Sequence, residues 1–228
     1  MYMEEQGVLK AVIFDFDYTL GDSTNGIALS INYALEQLDY PSRSIDEIKK
    51  TIGLSLKETY FKLTSCNNIQ EAEQFARLFK EKADQVMVDN TRLYEGVKEI
   101  LGSLREKGYK TAIVTTKFHY RIEQILNKFE ATELIDLIVG AEDVRVEKPS
   151  PEGLIWAIEH LSADTAEVLY VGDSIVDAKT AANANVAFAA TLTGATVSNE
   201  FECYKKVFIG KNIGDVYKYI VSKEKDME

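Results

Sequence analysis

The chain has 228 residues, 46% of them hydrophobic, with 12 Tyr and 10 Phe, enough for one large domain or a core carrying one substantial insertion. Its formal net charge of −11 disfavours nucleic acid as a partner, because that binding needs Lys and Arg to neutralise phosphates. Only three prolines and two cysteines occur, Cys66 and Cys203, without CxxC spacing, which argues against a long disordered tail, a disulfide scaffold or a zinc site.

The first residues are acidic, with no basic stretch ahead of an apolar one, and no apolar run reaches membrane-spanning length. The expected compartment is the cytoplasm, with no membrane partner. Residues 8–14 (VLKAVIF) are short, β-branched and nearly continuously apolar, the pattern of a central strand covered on both faces. Residues 24–88 contain no convincing strand. Ile27, Ile31, Ala34, Leu35 and Leu38 form one helical stripe. Ser44 to Glu47 and Ser55 to Glu58 each spell a capping box, and a polar-rich helix follows with Ala72, Phe75, Leu78, Phe79 and Val86 on one side. This is a helical insertion, with expected hinges at 21–24 and 89–96.

From residue 95 onward, strand and helix periods alternate. A helix over 95–107 places Val97, Ile100, Leu101 and Leu104 on one stripe and stops at Gly108. Strands are predicted at 110–115, 134–139, 168–171 and 186–190, with a weaker one at 207–209. Between them lie helices at 119–129 and 175–185, and one opened by Ser150 as N-cap with Pro151 at the first position. That helix is expected to turn Leu154, Ile155, Ile158 and Leu161 inward. Alternation of this kind implies right-handed βαβ units and a parallel sheet. The predicted fold class is α/β, a Rossmann-like parallel sheet with helices on both faces and an α-helical insertion.

Chemistry concentrates at strand ends. Asp15 and Asp17 follow the first strand directly and, two residues apart in extended backbone, face the same crevice. Asp173 follows Gly172 at the end of another apolar strand, ahead of a helix for which Asp173 or Ser174 would serve as N-cap. Capping accounts for one aspartate, but not for two aspartate clusters ending two core strands. Together Asp15, Asp17 and Asp173 make an oxygen-only site, and hard oxygen donors without His or Cys select Mg²⁺. Thr115, with Thr116 beside it, ends the 110–115 strand, where hydroxyl and amide groups suit a phosphate oxygen. Lys148 precedes Pro149, which disfavours helix there and aims the ammonium.

In order along the chain, DFDYT (Asp15 to Thr19), the Thr of IVTT (Thr115), the Lys of EKPSP (Lys148) and GDSIVD (Gly172 to Asp177) resemble the haloacid dehalogenase superfamily. The helical insertion and Tyr94-Glu95-Gly96-Val97 resemble its phosphoglycolate phosphatase-like members with a small α-helical cap. The resemblance implies a core at 1–22 and 92–228 and a cap at 23–91. It implies that Asp15 is the nucleophile that becomes phosphorylated and that Asp17 is the general acid and base. Thr115 and Lys148 then hold the phosphoryl group. Asp15, the backbone carbonyl of Asp17, and Asp173 ligate Mg²⁺, and Asp177 supports them or pairs with Lys148. One departure stands out: Tyr18 occupies a position where the family usually has Gly, and Gly21 stands where a bulky apolar residue is common. Tyr18 is therefore expected to narrow the substrate pocket.

The expected function is Mg²⁺-dependent hydrolysis of a small phosphorylated metabolite by a monomer or weak homodimer. Alternatives are a phosphosugar mutase or 2-haloacid dehalogenase on the same scaffold, or a non-catalytic phospho-ligand-binding protein. A dehalogenase has no leaving alkoxide to protonate, so Asp17 speaks against it, and retention of Asp15 and Lys148 speaks against a silent binder. In capped members a cap loop selects the leaving group. Here residues 51–57 are the candidate, and their one charge, Lys57, slightly favours a small acidic or sugar-like leaving group. His119 and His160 read as lone surface residues on helices, and Tyr60, Phe61, Phe75 and Phe79 as packing inside the insertion.

Overall fold

A computed structural model describes residues 8–205 and 207–225. Six strands form one parallel sheet: β1 (Ala11–Phe14), β4 (Lys110–Val114), β5 (Leu137–Val139), β6 (Val168–Gly172), β7 (Ala187–Thr191) and β8 (Phe208–Gly210), in the spatial order β5-β4-β1-β6-β7-β8. The remaining two strands, β2 (Gly21–Asp22) and β3 (Arg92–Leu93), pair with each other.

Alternation along the central strand explains the two-sided core. Val12 and Phe14 face a cluster with Leu101, Leu104, Ile122, Ile125 and Val216, from α5 (Val97–Glu106), α6 (His119–Lys128) and α9 (Ile213–Lys225). Ala11 and Ile13 face the opposite cluster with Leu154, Ile158, Ala178 and Ala181, from α7 (Glu152–His160) and α8 (Ile175–Ala184). All four residues of β1 are fully buried, so the strand reads as an unbroken apolar run. The chain leaves β1 for β4 and β5 on one side, then crosses to β6, β7 and β8 on the other. That reversal opens a crevice at the carboxyl ends of β4, β1 and β6.

The insertion is helical as predicted: α1 (Thr24–Glu36), α2 (Ile45–Lys49), α3 (Leu56–Thr64) and α4 (Ile69–Val86). Ser44 and Ser55 form the two expected capping boxes with Glu47 and Glu58. Ile31, Leu35, Tyr60, Phe75 and Ala83 make a separate core within it.

The segments expected as hinges contain an antiparallel ribbon, Gly21 opposite Leu93 and Asp22 opposite Arg92. Gly21 eases the close approach there, since a Cβ would sit 3.0 Å from the Arg92 carbonyl oxygen and 3.1 Å from the Phe16 ring. The first strand begins at Ala11 rather than at residue 8. The 134–139 strand shortens to 137–139 because residues 132–134 form a 3₁₀ turn in which the Ile135 amide bonds the Thr132 carbonyl. Helix α7 starts one residue late, with Ser150 Oγ accepting from the Glu152 amide. Its inward stripe is Leu154, Ala157 and Ile158, whereas Ile155 is 39% exposed, because a 3.6-residue period cannot bury 154, 155 and 158 equally against a flat sheet.

Candidate active site

Three adjacent strands deliver the polar residues. Asp15 follows β1, Thr115 follows β4 and Asp173 follows β6, all three buried. The Asp15 amide donates to the Val171 carbonyl at 2.8 Å, extending β1–β6 pairing one residue past the strand and fixing where its carboxylate starts. At the end of β6, Ser174 is the N-cap of α8 and Asp177 its reciprocal partner in a capping box. Asp173 is thereby left without a capping role. Two glycines allow the close packing: a Cβ on Gly172 would lie 2.5 Å from the Asp177 side chain, and one on Gly194 would lie 1.8 Å from Asp173 Oδ2.

Lys148 anchors the cluster from the opposite side, across a cis peptide to Pro149. Its buried ammonium lies 2.9 Å from Asp15 Oδ1 and 2.7 Å from Asp177 Oδ1, and donates to the Tyr170 hydroxyl at 3.1 Å. Asp177 is saturated: Oδ1 takes Lys148 and the Tyr170 hydroxyl, and Oδ2 accepts from the Ser174 amide and hydroxyl. These bonds tie Lys148 and Tyr170 to the start of α8. Burial works against the Lys148 charge, but the Asp15 and Asp177 carboxylates outweigh it and hold the lysine above its ordinary pKa.

Oxygen atoms of Asp15, Asp173 and Asp177 lie within 4.8 Å of one another. Burial pushes Asp15 up to about 6, with Lys148 pulling back and Asp177 adding to the rise. Burial, then Asp177 and Asp15, push Asp173 well above the usual carboxylate range. Three buried carboxylates face one lysine, so the cluster has carboxylate charge in excess of its own cation. An oxygen-only donor set with that imbalance fits a hard divalent cation, and since Asp177 is fully hydrogen-bonded, Asp15 and Asp173 are the side chains that would hold it. The Asp17 side chain is not part of this cluster. It turns toward the cleft, where its Oδ2 pairs with the buried ammonium of Lys117 at 3.0 Å and its Oδ1 is buried without a hydrogen bond.

A cleft lies between the sheet edge and the insertion. Asp17, Thr116, Lys117, Phe118 and Arg121 line it from the core, and Ile52, Gly53, Leu54 and Leu56 of the 51–57 loop line it from the insertion. Thr115 Oγ1 accepts from the Lys117 amide at 3.2 Å, which shapes the turn between β4 and α6. Lys57 is not in the cleft: it sits second in α3, exposed, with its ammonium over the Phe61 ring at 5.7 Å. Tyr18 does not line the cleft either. It adopts φ 59°, the left-handed conformation for which glycine is the least strained residue, and shares a 2.8 Å hydrogen bond between its hydroxyl and that of Thr24. Its carbonyl accepts from the Thr193 hydroxyl.

Lys117, Arg121 and Tyr170 were not singled out in the sequence. Arg121 carried a signal, since it stands four residues before Ile125 on an otherwise apolar helical face. Tyr170 sits inside the apolar run 168–171 and reads as packing. His119 bonds Asp143 at 2.7 Å.

The family pattern of haloacid dehalogenase-like hydrolases matches residues 12–191. The chain belongs to this family. A pyrophosphatase PpaX from Bacillus cereus is 32% identical over 91% of this chain and 94% of its own length. A phosphoglycolate phosphatase from Aliivibrio fischeri is 29% identical over 76% of this chain and 79% of its own. A haloacid dehalogenase-like hydrolase from Bacteroides fragilis superposes with a TM-score of 0.89 at 38% identity, covering 91% of this chain and 99% of that structure. The chain is thus a haloacid dehalogenase-like enzyme of the phosphatase kind. No helix among its described residues is long and apolar enough to cross a membrane.

Proposed function

We propose that this haloacid dehalogenase-like enzyme is a Mg²⁺-dependent phosphatase acting on a small phosphorylated metabolite through an aspartyl-phosphate on Asp15. The observation that carries the reading is the meeting of a buried Asp15 with Lys148 at 2.9 Å, two residues before Asp17, which lines the cleft with a second carboxylate. Asp15 attacks phosphorus while the leaving oxygen departs with a proton from Asp17. A water then attacks the same phosphorus, gives its proton to Asp17, and releases phosphate with Asp15 restored. Lys148 and Thr115 bind the phosphoryl oxygens, and Lys117 holds the Asp17 carboxylate at the cleft. Mg²⁺, held by Asp15, Asp173 and the Asp17 carbonyl, would supply charge against the phosphoryl oxygens.

Residues 23–91 serve in this reading as a cap that closes the cleft with its 51–57 loop. The substrates named in two relatives, pyrophosphate and phosphoglycolate, have anionic leaving groups, phosphate and glycolate, and this chain is proposed to act on compounds of that size.

Intact-mass measurement after rapid quench tests the mechanism. The expected result is one phosphate on the wild-type chain during turnover and none on Asp15→Asn, which should also be inactive. Near-normal turnover in Asp15→Asn refutes it.

A further inference from the structure

We infer that Arg121 recognises a negative charge on the leaving group, making the enzyme selective for phosphate esters or anhydrides whose leaving group is itself an anion. This rests on the phosphatase reading above. Arg121 is 1% exposed, and burying a guanidinium is costly unless its donors are used. Both hydrogen bonds found for it come from Nη2, to Asp84 Oδ1 at 2.5 Å and to the Tyr120 hydroxyl at 3.0 Å. Its Nε is buried with no hydrogen-bond partner. A guanidinium offers five N–H donors in a fixed fork, suited to carboxylate and phosphate.

Its location decides what the spare donor is for. Arg121 lines the same cleft as Asp17, the proposed proton donor to the leaving oxygen. The other cleft cation, Lys117, is already paired with Asp17 at 3.0 Å. The insertion contributes no charged residue to the lining: Ile27, Ile31, Ile52, Leu54 and Phe79 are apolar. Both lining cations are ion-paired, and Arg121 is the one that keeps a buried donor unused. Asp84 belongs to α4, is 45% exposed and takes Nη2, which leaves Nε unpaired.

A carboxylate and a second phosphate share this chemistry, and substrate pairs separate them. The enzyme with Mg²⁺ is assayed on 2-phosphoglycolate, on its neutral analogue 2-hydroxyethyl phosphate, and on inorganic pyrophosphate. In wild type, kcat/KM for at least one anionic substrate should exceed that for the neutral ester, and which one does identifies the anion. Arg121→Met should lower that ratio ten- to hundredfold, as expected for loss of a buried charge-assisted hydrogen bond. Arg121→Lys, which keeps charge without the fork, should lower it less. A wild type that hydrolyses the neutral ester as well as both anions overturns the inference even if Arg121→Met fails to fold. So does a ratio unchanged in Arg121→Met. No turnover on any of the three is a different failure, that of the phosphatase reading itself, and the inference falls with it.

Discussion

Removing the Lys148 ammonium separates structure from chemistry in this site. Lys148 lies 2.9 Å from Asp15 and 2.7 Å from Asp177, and all three side chains are at most 4% exposed. Lys148→Met keeps the length of the side chain and strands the carboxylates without their cation. Breaking a buried ion pair from one side costs about 3–5 kcal/mol, and in a domain of this size each kcal/mol moves Tm by roughly 2–4 °C. The metal-free variant should therefore melt about 6–20 °C below the metal-free wild type. Saturating Mg²⁺ should return part of the difference, because a divalent cation held by Asp15 and Asp173 neutralises charge the lysine no longer offsets. Turnover should stay lost in both conditions, since the phosphoryl group still lacks Lys148. Thermal denaturation in EDTA and in Mg²⁺, with kcat alongside, reads all three quantities. A melting point in EDTA within 2 °C of wild type would show that the lysine is not the counter-charge of the carboxylate cluster.

Three further outcomes follow from the same geometry. The Asp15 pKa is raised by burial from 3.8 to about 6, so the metal-free fold is favoured by a proton on Asp15. That contribution is full below pH 4 and lost as pH rises through 6, about 3 kcal/mol in all at 1.36 kcal/mol per pH unit. The Tm increment given by Mg²⁺ should accordingly be larger at pH 7.5 than at pH 5, and an equal or reversed increment in a melting series refutes the assignment. Gly194→Ala would place a Cβ 1.8 Å from Asp173 Oδ2; calorimetric Mg²⁺ affinity and kcat should each fall at least tenfold, and wild-type affinity would mean Asp173 does not hold the ion. Asp17→Asn should slow alkyl phosphate hydrolysis by roughly 10²–10⁴-fold and p-nitrophenyl phosphate cleavage less, the ratio of the two rates being the measurement.

How much of this was legible in the chain depends on whether a residue's role is local. Asp15, Asp173 and Thr115 were readable because each directly follows a short apolar strand, and a parallel sheet brings such positions to one edge. The two capping boxes of the insertion were readable because Ser44 and Ser55 bond residues three positions away. The β2–β3 ribbon was not, since two-residue strands carry no period and their partner lies some 70 residues off. Lys57 was assigned to the leaving group because it is the one charge in the 51–57 loop, but as the second residue of α3 it turns to solvent. Lys117 became visible only when the turn between β4 and α6 placed it beside Asp17. Arg121 showed in the sequence as a charge on an apolar helical face, but what it pairs with showed only when α6 set it beside Asp84.

The β2–β3 ribbon also bears on how the chain folds. β1 must find β4 and β6, and residues 23–91 separate it from both. Packing of α1 against α4 sets Asp22 beside Arg92, so a loop of about 70 residues behaves as a turn of a few. On the (3/2)RT ln n scaling this removes roughly 2–3 kcal/mol of closure entropy from central sheet assembly. The helical unit that covers the cleft is thus also a splint, and its early formation should speed the docking of β4 onto β1.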